Sequence, residues 1–541
     1  MNPNLQFVLI NNVKMPISAS PKEAFSVAKS RLKALGLASS IESCSVYRRS
    51  IDARKRPDIF FVYSIMVGCR FTEAEVSRLK RAEIPFVDPL LRPEIVFGDA
   101  GLSAPPVIVG AGPAGLFSAL LLAESGYNPV ILERGGSVAE RQKAVRKFNI
   151  THVLDTETNI QFGAGGAGTF SDGKLVTRIN DPLTNYILER FVEFGAPEDI
   201  KYISKPHIGT DILSLVIERM IERICALGGN IHYHTKFISP VIFNSTVTAV
   251  KTDKGDFPCG ALILAIGHSA RDTYESLVSG GFVIEPKSFS VGMRIEHLTD
   301  DIDRAMYGEM AGNERLGHAE YALSHDTRNR GTYTFCMCPG GEVVAAASED
   351  GGVVVNGMSY HSRGGRNSNS AVVATIFRED YGPSPLEAIE FQRNIESRAY
   401  ETGGGEYRAP IITVGDFLSG KQGSEPKRVI PTYMNGGNVR LADPYDFLPS
   451  YVCDSIKGAI SAFDKKISGF AADDAILTGA ETRTSAPVRI MRDNATRVAI
   501  GYKNIYPAGE GAGYAGGITS AAIDGAKSAL ALMKVYRPLS N

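Results

Sequence analysis

The stretch Val107-Ile108-Val109-Gly110-Ala111-Gly112-Pro113-Ala114-Gly115 decides the fold of this chain. Its first three residues predict a buried strand, and the mainly apolar residues 114–125 predict a helix. A turn of this kind lets Gly110 bend out of the strand, lets the backbone at Gly112 approach a pyrophosphate, and lets helix and strand pack closely at Gly115. The free amides around Pro113-Ala114 then face the phosphates. We therefore predict a Rossmann-type nucleotide-binding turn.

An acidic residue follows the second predicted strand. The run at 129–132 ends at Glu133, eighteen positions after Gly115. A carboxylate here accepts hydrogen bonds from the ribose hydroxyls of an adenosine and repels a 2′-phosphate. We expect an adenosine cofactor without that phosphate, with Arg134 and Arg141 as further cofactor contacts.

Two later segments distinguish FAD from NAD. The apolar residues 261–266 end at Gly267, and the predicted strand at 505–508 ends at Gly509-Glu510. Both segments resemble signatures of the glutathione-reductase-type FAD fold, in which the terminal acidic residue meets the ribityl chain. The helix start at Gly516-Gly517-Ile518 would face the flavin C2 carbonyl and stabilise negative charge on the reduced ring. The sequence carries a single dinucleotide fingerprint and therefore no second Rossmann domain for NAD(P)H, so we expect NAD(P)H only as a transient electron donor. Because the sequence shows no covalent-attachment motif, we expect non-covalent FAD.

The expected fold class is α/β, with the nucleotide domain interrupted by a second domain. A chain of 541 residues is too long for one small core and predicts two or three domains. Short strands and a helix over residues 20–35, with Pro21 in its first turn, predict a small N-terminal α+β module over residues 1–100. The Rossmann-type FAD-binding domain, with its parallel βαβ sheet, takes 101–273 and 493–541. An α+β substrate or cap domain takes 274–492, and we predict one of its helices over 455–471.

Composition excludes several classes of partner. The 58 basic and 59 acidic residues leave a net charge near zero, which gives no reason to expect nucleic acid or an anionic membrane. Seven cysteines, an odd number, do not suggest a disulfide framework.

Residues 105–123 carry no charge, but their glycines and Pro113 favour a strand, a turn and a buried helix over a membrane span. Because Met1 to Pro16 does not resemble a signal peptide and the cysteines suggest no disulfide framework, we expect a cytoplasmic protein. The partner we expect is a small-molecule substrate, with no membrane.

A glycine-rich loop at residues 163–173 is the first candidate for contact with flavin or substrate. Its glycines, Gly166 among them, allow the backbone to approach a bulky group. Thr169 within the loop and Lys174 directly after it supply polar contacts. We expect Gly166 and Thr169 to bind the cofactor and Lys174 to be a candidate catalytic residue.

Histidine and arginine supply two more candidates. His268 follows the glycine of the second flavin signature and is a candidate for a role near the flavin. Arg294 and Glu296 share one face of a predicted strand and either bind an anionic substrate or form a salt bridge. His232 and His234 would also share a strand face, but without a carboxylate or cysteine in register we expect no metal site.

Cys336 and Cys338 form a CxC pair at the end of a predicted strand. One interpretation is a redox dithiol that exchanges electrons with the flavin, and the other is two ordinary cysteines on one strand face. A single intervening residue strains a disulfide, which favours the second interpretation.

Several long motifs resemble a known family, the bacterial FAD-dependent dehydrogenases, also called NAD(FAD)-utilising dehydrogenases. The resemblance covers nearly the whole chain. The residues that carry it are Arg48–Arg54, Gly165–Lys174, Lys205–Asp211, Phe335–Gly341, Asn356–Ser359 and Gly509–Gly525. It implies redox chemistry on FAD and leaves the substrate open.

The function we expect is an FAD-dependent oxidoreductase that transfers a hydride between an organic substrate and the flavin. One alternative is an FAD-binding module in RNA modification or scaffolding, supported only by the basic turn Arg54-Lys55-Arg56. A second alternative is a disulfide-type reductase that uses Cys336 and Cys338.

Overall fold

A computed structural model of the protein describes residues 5–37, 41–55, 57–88, 92–177, 180–327, 330–421 and 423–539. Arg56, part of the basic turn noted above, lies outside these residues. The chain forms three units, each built on its own sheets, and segments on both sides of the third unit make up the second.

The N-terminal unit is a four-stranded antiparallel sheet in the order β2-β3-β1-β4. Its elements are β1 (Gln6–Pro16), α1 (Pro21–Ala34), β2 (Ile41–Asp52), β3 (Phe60–Cys69), α2 (Glu73–Arg81) and β4 (Phe86–Val87). The first helix begins where the sequence predicts it, because Ser20 donates from its backbone N–H and its hydroxyl to Glu23 at 2.7 and 2.9 Å. Its buried face, with Ala28 and Leu32, packs on the sheet.

The second unit is organised around a five-stranded parallel sheet and is called the parallel-sheet unit below. Its first part contains β5 (Ala100–Gly101), β6 (Pro106–Val109), α3 (Pro113–Glu124), β7 (Val130–Leu132), α4 (Val138–Thr151), α5 (Leu183–Glu193), α6 (Thr210–Ala226), β8 (Asn230–His232), β9 (Phe237–Phe243), β10 (Thr246–Thr252), β11 (Gly255–Pro258), β12 (Ala261–Leu264) and α7 (Arg271–Ser279).

The third unit, called the cap unit below, is built on a seven-stranded sheet in the order β15-β16-β19-β14-β22-β20-β21. It contains β13 (Ile284–Pro286), β14 (Phe289–Leu298), α8 (Thr299–Tyr307), β15 (Ser324–Thr327), β16 (Arg330–Cys338), β17 (Glu342–Ala345), β18 (Val355–Met358), β19 (Asn367–Ile376), α9 (Arg378–Tyr381), α10 (Pro385–Thr402), β20 (Ala409–Thr413), α11 (Val414–Ser419), β21 (Val439–Leu441), α12 (Ser450–Asp464), β22 (Ile476–Glu481) and β23 (Val488–Ile490).

The chain then returns to the parallel-sheet unit through β24 (Ile505–Pro507), α13 (Ile518–Met533) and β25 (Tyr536–Arg537). The parallel sheet has the order β24-β12-β6-β7-β8, so its two edges come from opposite sides of the cap insertion. Its central strand β6 is buried along its whole length, as expected for a parallel sheet covered on both faces. Helices α3 and α13 pack so closely that a Cβ at Gly525 would lie 2.0 Å from the carbonyl oxygen of Ala114.

Two predicted boundaries need correction. The predicted boundary at 273/274 falls inside α7, which runs on to Ser279. The helix predicted at 455–471 is α12, which starts after Pro449 and ends at Asp464. It stops there because the Asp464 carboxylate accepts the backbone N–H groups of Gly469 and Ala471 at 3.0 Å and closes a turn.

The strand predicted to carry two histidines on one face also ends early. Strand β8 stops at His232, and His234 takes a left-handed conformation with φ 50°. His234 then lies 3.3 Å from the Glu140 carboxylate, whereas the His232 ring packs edge-on against Phe257. The two rings therefore do not share a strand face.

No helix within the described ranges is long and apolar enough to cross a bilayer.

A buried ion network joins the parallel-sheet unit to the cap unit. Arg271 at the start of α7 donates to the Glu396 carboxylate on α10 at 2.7 and 2.8 Å. Arg483, just after β22, donates to the same carboxylate at 2.9 and 3.1 Å. All three side chains are almost fully buried. Glu396 is therefore the shared anion that holds the two units in register.

Candidate functional site

A cleft opens at the carboxyl ends of strands β6, β7, β12 and β24, and its cavity volume is about 300 Å³. Ligands of open α/β sheets bind at this edge. The cap unit closes the other side with residues that include Phe335, Asn356 and Glu481. The cleft is therefore walled by both units.

Most of the residues predicted to bind or react line this cleft. They are Gly110, Gly112, Pro113, Ala114, Glu133, Arg134, Gly166, Lys174, Gly267, His268, Cys336, Glu510, Gly516, Gly517 and Ile518. The other predicted residues are buried and are not part of its lining. They are Gly115, Arg141, Thr169, Arg294, Cys338 and Gly509.

The glycine turn has the close contacts that its pattern predicts. Gly110 has φ +98°, and a Cβ there would lie 2.4 Å from the Ala265 carbonyl oxygen. A Cβ at Gly115 would lie 1.9 Å from the Gly110 carbonyl oxygen, so α3 can approach β6 only without a side chain. By contrast, the nearest atom to a Cβ at Gly112 is the Cα of Gly166 at 3.8 Å. Gly112 thus faces free space at the start of α3.

Glu133 ties this turn to the glycine-rich loop. One carboxylate oxygen accepts the Ala111 N–H at 2.8 Å, and the other accepts the N–H groups of Gly135 and Gly163 at 2.9 Å. A carboxylate has about four acceptor positions, so the predicted bond from a ribose hydroxyl still has room. Glu133 therefore stabilises the backbone of the glycine turn and of the glycine-rich loop, and it also lines the cleft.

Arg141 was expected to contact the cofactor, but its donors are used inside the protein. Its guanidinium is completely buried and donates to the carbonyl oxygens of Asn159, Ile160, Ala164 and Gly166 at 2.6–3.1 Å. Burial lowers the pKa of Arg141 to about 10, and Glu133 opposes that shift. Arg141 thus positions the glycine-rich loop from behind.

Arg134 lies over an aromatic ring in the wall of the cleft. Its guanidinium carbon is 4.0 Å from the centroid of the Phe162 ring. Its nitrogens pair with Glu157 at 2.7 Å and Asp272 at 2.9 Å. These carboxylates hold the guanidinium in place, so Arg134 and Phe162 form a rigid surface at the Glu133 end of the cleft.

A network of charged side chains surrounds Lys174, directly after the glycine-rich loop. The Lys174 ammonium lies 3.2 Å from Glu320 and 3.6 Å from Asp172. Arg363 donates to both oxygens of Asp172 at 2.6 and 3.0 Å. Burial alone would lower the pKa of Lys174, but Glu320 and Asp172 outweigh it and raise the pKa. Lys174 is therefore a cation in the cleft wall.

Arg294 forms a salt bridge, but with a different partner from the one its strand suggests. It donates to both oxygens of Glu481 at 3.1 Å and to the Asn369 side chain at 2.7 Å. Glu296 instead accepts from the Thr432 hydroxyl at 2.6 Å. Arg294 is fully buried and does not line the cleft, so its position does not fit the expected contact with an anionic substrate. Its partner Glu481 does line the cleft.

His268 is held as a neutral group. Its Nδ1 lies 2.9 Å from the Ser269 hydroxyl oxygen. Burial lowers the pKa of His268 to about 4, and Arg483 and Arg271 add to the shift. Near neutral pH the ring can therefore donate or accept a hydrogen bond in the cleft without carrying charge.

The Glu510 carboxyl should make the stability of the folded protein depend on pH. Burial raises the pKa of this cleft carboxyl to about 7, and Lys287 opposes the shift. Such a group stabilises the fold below its unfolded pKa, and the contribution is lost as pH rises through 7. In FAD-free protein, Glu510→Gln should therefore raise the free energy of unfolding by on the order of 1 kcal/mol at pH 8 and by much less near pH 5. Urea unfolding at both pH values measures this, and an equal difference at both would contradict it.

The cleft fits FAD by its own construction. The starts of two helices, α3 at Gly112-Pro113 and α13 at Gly517-Ile518, open on it, and helix starts offer free amides to anionic groups. Gln161 lines the cleft and its buried side-chain oxygen has no partner among the described residues. An acceptor without a donor suits a ligand that carries N–H or O–H groups.

The sequence does not predict several of the residues that line the cleft. Their residue types are common, they belong to no glycine pattern, and most of them come from the cap unit. They are Gln161, Phe162, Phe335, Asn356, Glu481, Arg483 and Thr484. The only sequence signal was that Phe335 and Asn356 fall within motifs of the family resemblance.

Comparison with known proteins gives three family matches. Residues 288–484 match the family described as "FAD-dependent protein, C-terminal domain-like", and residues 104–149 match "FAD binding domain". Residues 8–68 match a domain of unknown function. The FAD-binding match contains the glycine turn and Glu133.

Among solved structures, CtdE in complex with FAD is 10% identical with a TM-score of 0.32, over 80% of this chain and 84% of CtdE. Glycine oxidase from Bacillus cereus is 12% identical with a TM-score of 0.34, over 80% of this chain and 98% of the oxidase. A protein from Clostridium beijerinckii named "Uncharacterized protein" is far more similar, with 46% identity over 492 residues, which is 90% of this chain and 92% of that protein. The chain is an FAD-binding flavoprotein, and it belongs with the Clostridium beijerinckii protein to the family of FAD-dependent proteins.

Proposed function

We propose that this protein is an FAD-dependent oxidoreductase that exchanges a hydride with a small organic substrate. The observation that carries this proposal is the two-sided cleft. The parallel-sheet unit supplies the glycine turn and the start of α13, and the cap unit supplies polar lining residues such as Asn356 and Glu481. FAD, when bound, takes up or gives a hydride. A substrate that meets the flavin in this cleft would therefore contact residues of the cap unit.

Three polar side chains in the lining of the cleft are available to contact the substrate. Ser171 offers a hydroxyl, Lys174 an ammonium group and Asn356 an amide, and all three line the cleft. Because His268 is uncharged near neutral pH, it can orient a polar group without adding charge. FAD is held without a covalent bond in the manner of the glutathione-reductase-type fold, and NAD(P)H reaches the same cleft only transiently when it serves as electron donor.

The proposal predicts that an organic compound reduces the bound flavin. FAD-loaded protein is mixed anaerobically with a panel of metabolites, NADH and NADPH, and the loss of flavin absorbance is followed. Lys174→Met should slow reduction by the active compound about tenfold or more, since it removes the cation from the wall. Lys205→Met is the matched control, because Lys205 also reaches Glu320, through its carbonyl oxygen at 3.0 Å, but does not line the cleft.

Two results would contradict the proposal. One is flavin that dithionite bleaches but that no organic compound reduces. The other is equal slowing by both lysine substitutions, which would show that the effect comes from the charge network rather than from the cleft.

A further inference from the structure

The CxC pair lies where the cap sheet meets the cleft. Strand β16 pairs with β19 at Phe335↔Ala371 and next at Cys338↔Asn369, so an extra residue bulges out between them. Cys336 sits in this bulge with φ 49°, a left-handed conformation that is uncommon for residues other than glycine. The half-buried Cys336 lines the cleft, whereas Cys338 is completely buried behind it.

The two cysteine side chains contact each other at the bulge. Residues two apart on a flat strand have Cα atoms about 6.7 Å apart, near the upper limit for a disulfide. The Cys338 thiol donates to the Cys336 carbonyl oxygen at 3.3 Å and also interacts directly with the Cys336 thiol. The two thiols are therefore direct neighbours although a single residue separates them along the strand.

The surroundings favour a thiolate at Cys336. Arg294 donates to the Cys336 carbonyl oxygen at 2.5 Å, and its guanidinium lies 3.9 Å from the Cys338 sulfur. The hydrogen bond from Cys338 lowers the pKa of the Cys336 thiol against the effect of burial, and Arg294 and Lys174 lower it further. The same hydrogen bond raises the pKa of Cys338. An accessible thiolate beside a protonated second thiol is the arrangement of a redox-active pair.

We propose that Cys336 and Cys338 form a dithiol–disulfide pair that exchanges two electrons with FAD bound in the cleft. This inference rests on the FAD site of the proposed function and adds a second electron acceptor to it. Cys336 as the thiolate and Cys338 as the thiol lose two electrons and one proton and join in an S–S bond. Both electrons, that proton and one proton from solvent are transferred to FAD, giving FADH2. The reverse exchange returns the pair to the reduced state.

The first test counts electrons and thiols in the FAD-loaded protein. Oxidised protein is titrated anaerobically with dithionite, and free thiols are counted after denaturation. The wild type should take up two electron pairs per FAD, and its thiols should rise from five in the oxidised protein to all seven cysteines in the reduced protein. Cys336→Ser should take up one electron pair, and Cys453→Ser, a buried cysteine of α12, should still take up two.

A second measurement does not depend on the flavin or on a substitution. Alkylation of the FAD-free, reduced wild type is followed by peptide mass spectrometry as a function of pH. Cys336 should react at a lower pH than any other cysteine, and treatment with oxidised glutathione should join it to Cys338.

The proposed redox pair would be refuted if oxidised, FAD-loaded protein took up a single electron pair per FAD and contained seven free thiols. A protein that takes up no FAD would instead refute the proposed function, and the alkylation and glutathione experiment would still decide on the thiols.

Discussion

Gly112→Val is expected to weaken FAD binding by about a hundredfold or more while leaving the fold intact. Gly112 has φ −78°, which valine adopts without strain, and a Cβ there meets no atom closer than 3.8 Å. The added side chain would therefore occupy the cleft at the start of α3, where the pyrophosphate approaches the free amides. A loss of this size corresponds to about 2.7 kcal/mol of binding free energy.

Gly115→Val tests the other role of the same turn. Because a Cβ at Gly115 would lie 1.9 Å from the Gly110 carbonyl oxygen, this substitution forces α3 away from β6 and should lower both stability and FAD binding. The matched control is Gly101→Val, since a Cβ at Gly101 has no atom within 4 Å. Thermal unfolding of FAD-free protein and FAD titration separate the effects. Wild-type FAD affinity in Gly112→Val would contradict the assignment of the phosphate site.

Glu396→Ala is expected to reduce the free energy of unfolding by about 3–5 kcal/mol. The substitution leaves the buried guanidinium groups of Arg271 and Arg483 without their shared carboxylate, and removing one member of a buried ion network costs about this much. Glu396→Gln keeps the size of the side chain, so a similar loss in that variant would identify charge as the cause. Chemical unfolding measures both variants.

The same network predicts how the loss depends on pH. Although burial alone would raise it, Arg271 and Arg483 hold the pKa of Glu396 well below its usual range. The contribution of the Glu396 carboxylate to the free energy of unfolding is therefore present above the unfolded pKa of about 4.3. It is lost as the pH falls toward the pKa of Glu396 in the folded protein. The difference between wild type and Glu396→Ala should shrink as the solution is made acid.

A surface ion pair provides the control for this prediction. Glu42 pairs with Arg70 at 2.6 Å, but both side chains are exposed. Glu42→Ala should therefore cost less than about 1 kcal/mol. If Glu396→Ala cost no more than Glu42→Ala, the buried network would not be what joins the two units.

The nucleotide turn could be predicted from sequence because its requirements are local. Gly110 needs a positive φ, and Gly115 needs the absence of a side chain against a carbonyl oxygen five residues away. Both needs are met within a single strand, turn and helix, so a pattern of six residues records them. The confirmed helix at Ser20 is similar, because its capping box spans four residues.

The partners of buried charges could not be predicted in this way. Arg294 and Glu296 share a strand face, yet Arg294 pairs with Glu481, 187 positions away, because β22 lies beside β14 in the cap sheet. Arg141 was expected at the cofactor, but its donors meet four carbonyl groups of a loop whose path the sequence does not reveal. Which strand neighbours which, and how a glycine-rich loop folds, depends on long-range packing.

A crystal structure of the protein with FAD tests the central claim most directly. We predict one FAD per chain in the cleft, with its pyrophosphate at the start of α3 near Gly112, its adenosine ribose at Glu133 and its isoalloxazine ring between the start of α13 and Cys336. FAD bound elsewhere, or a protein that cannot be loaded with FAD at all, would contradict the account.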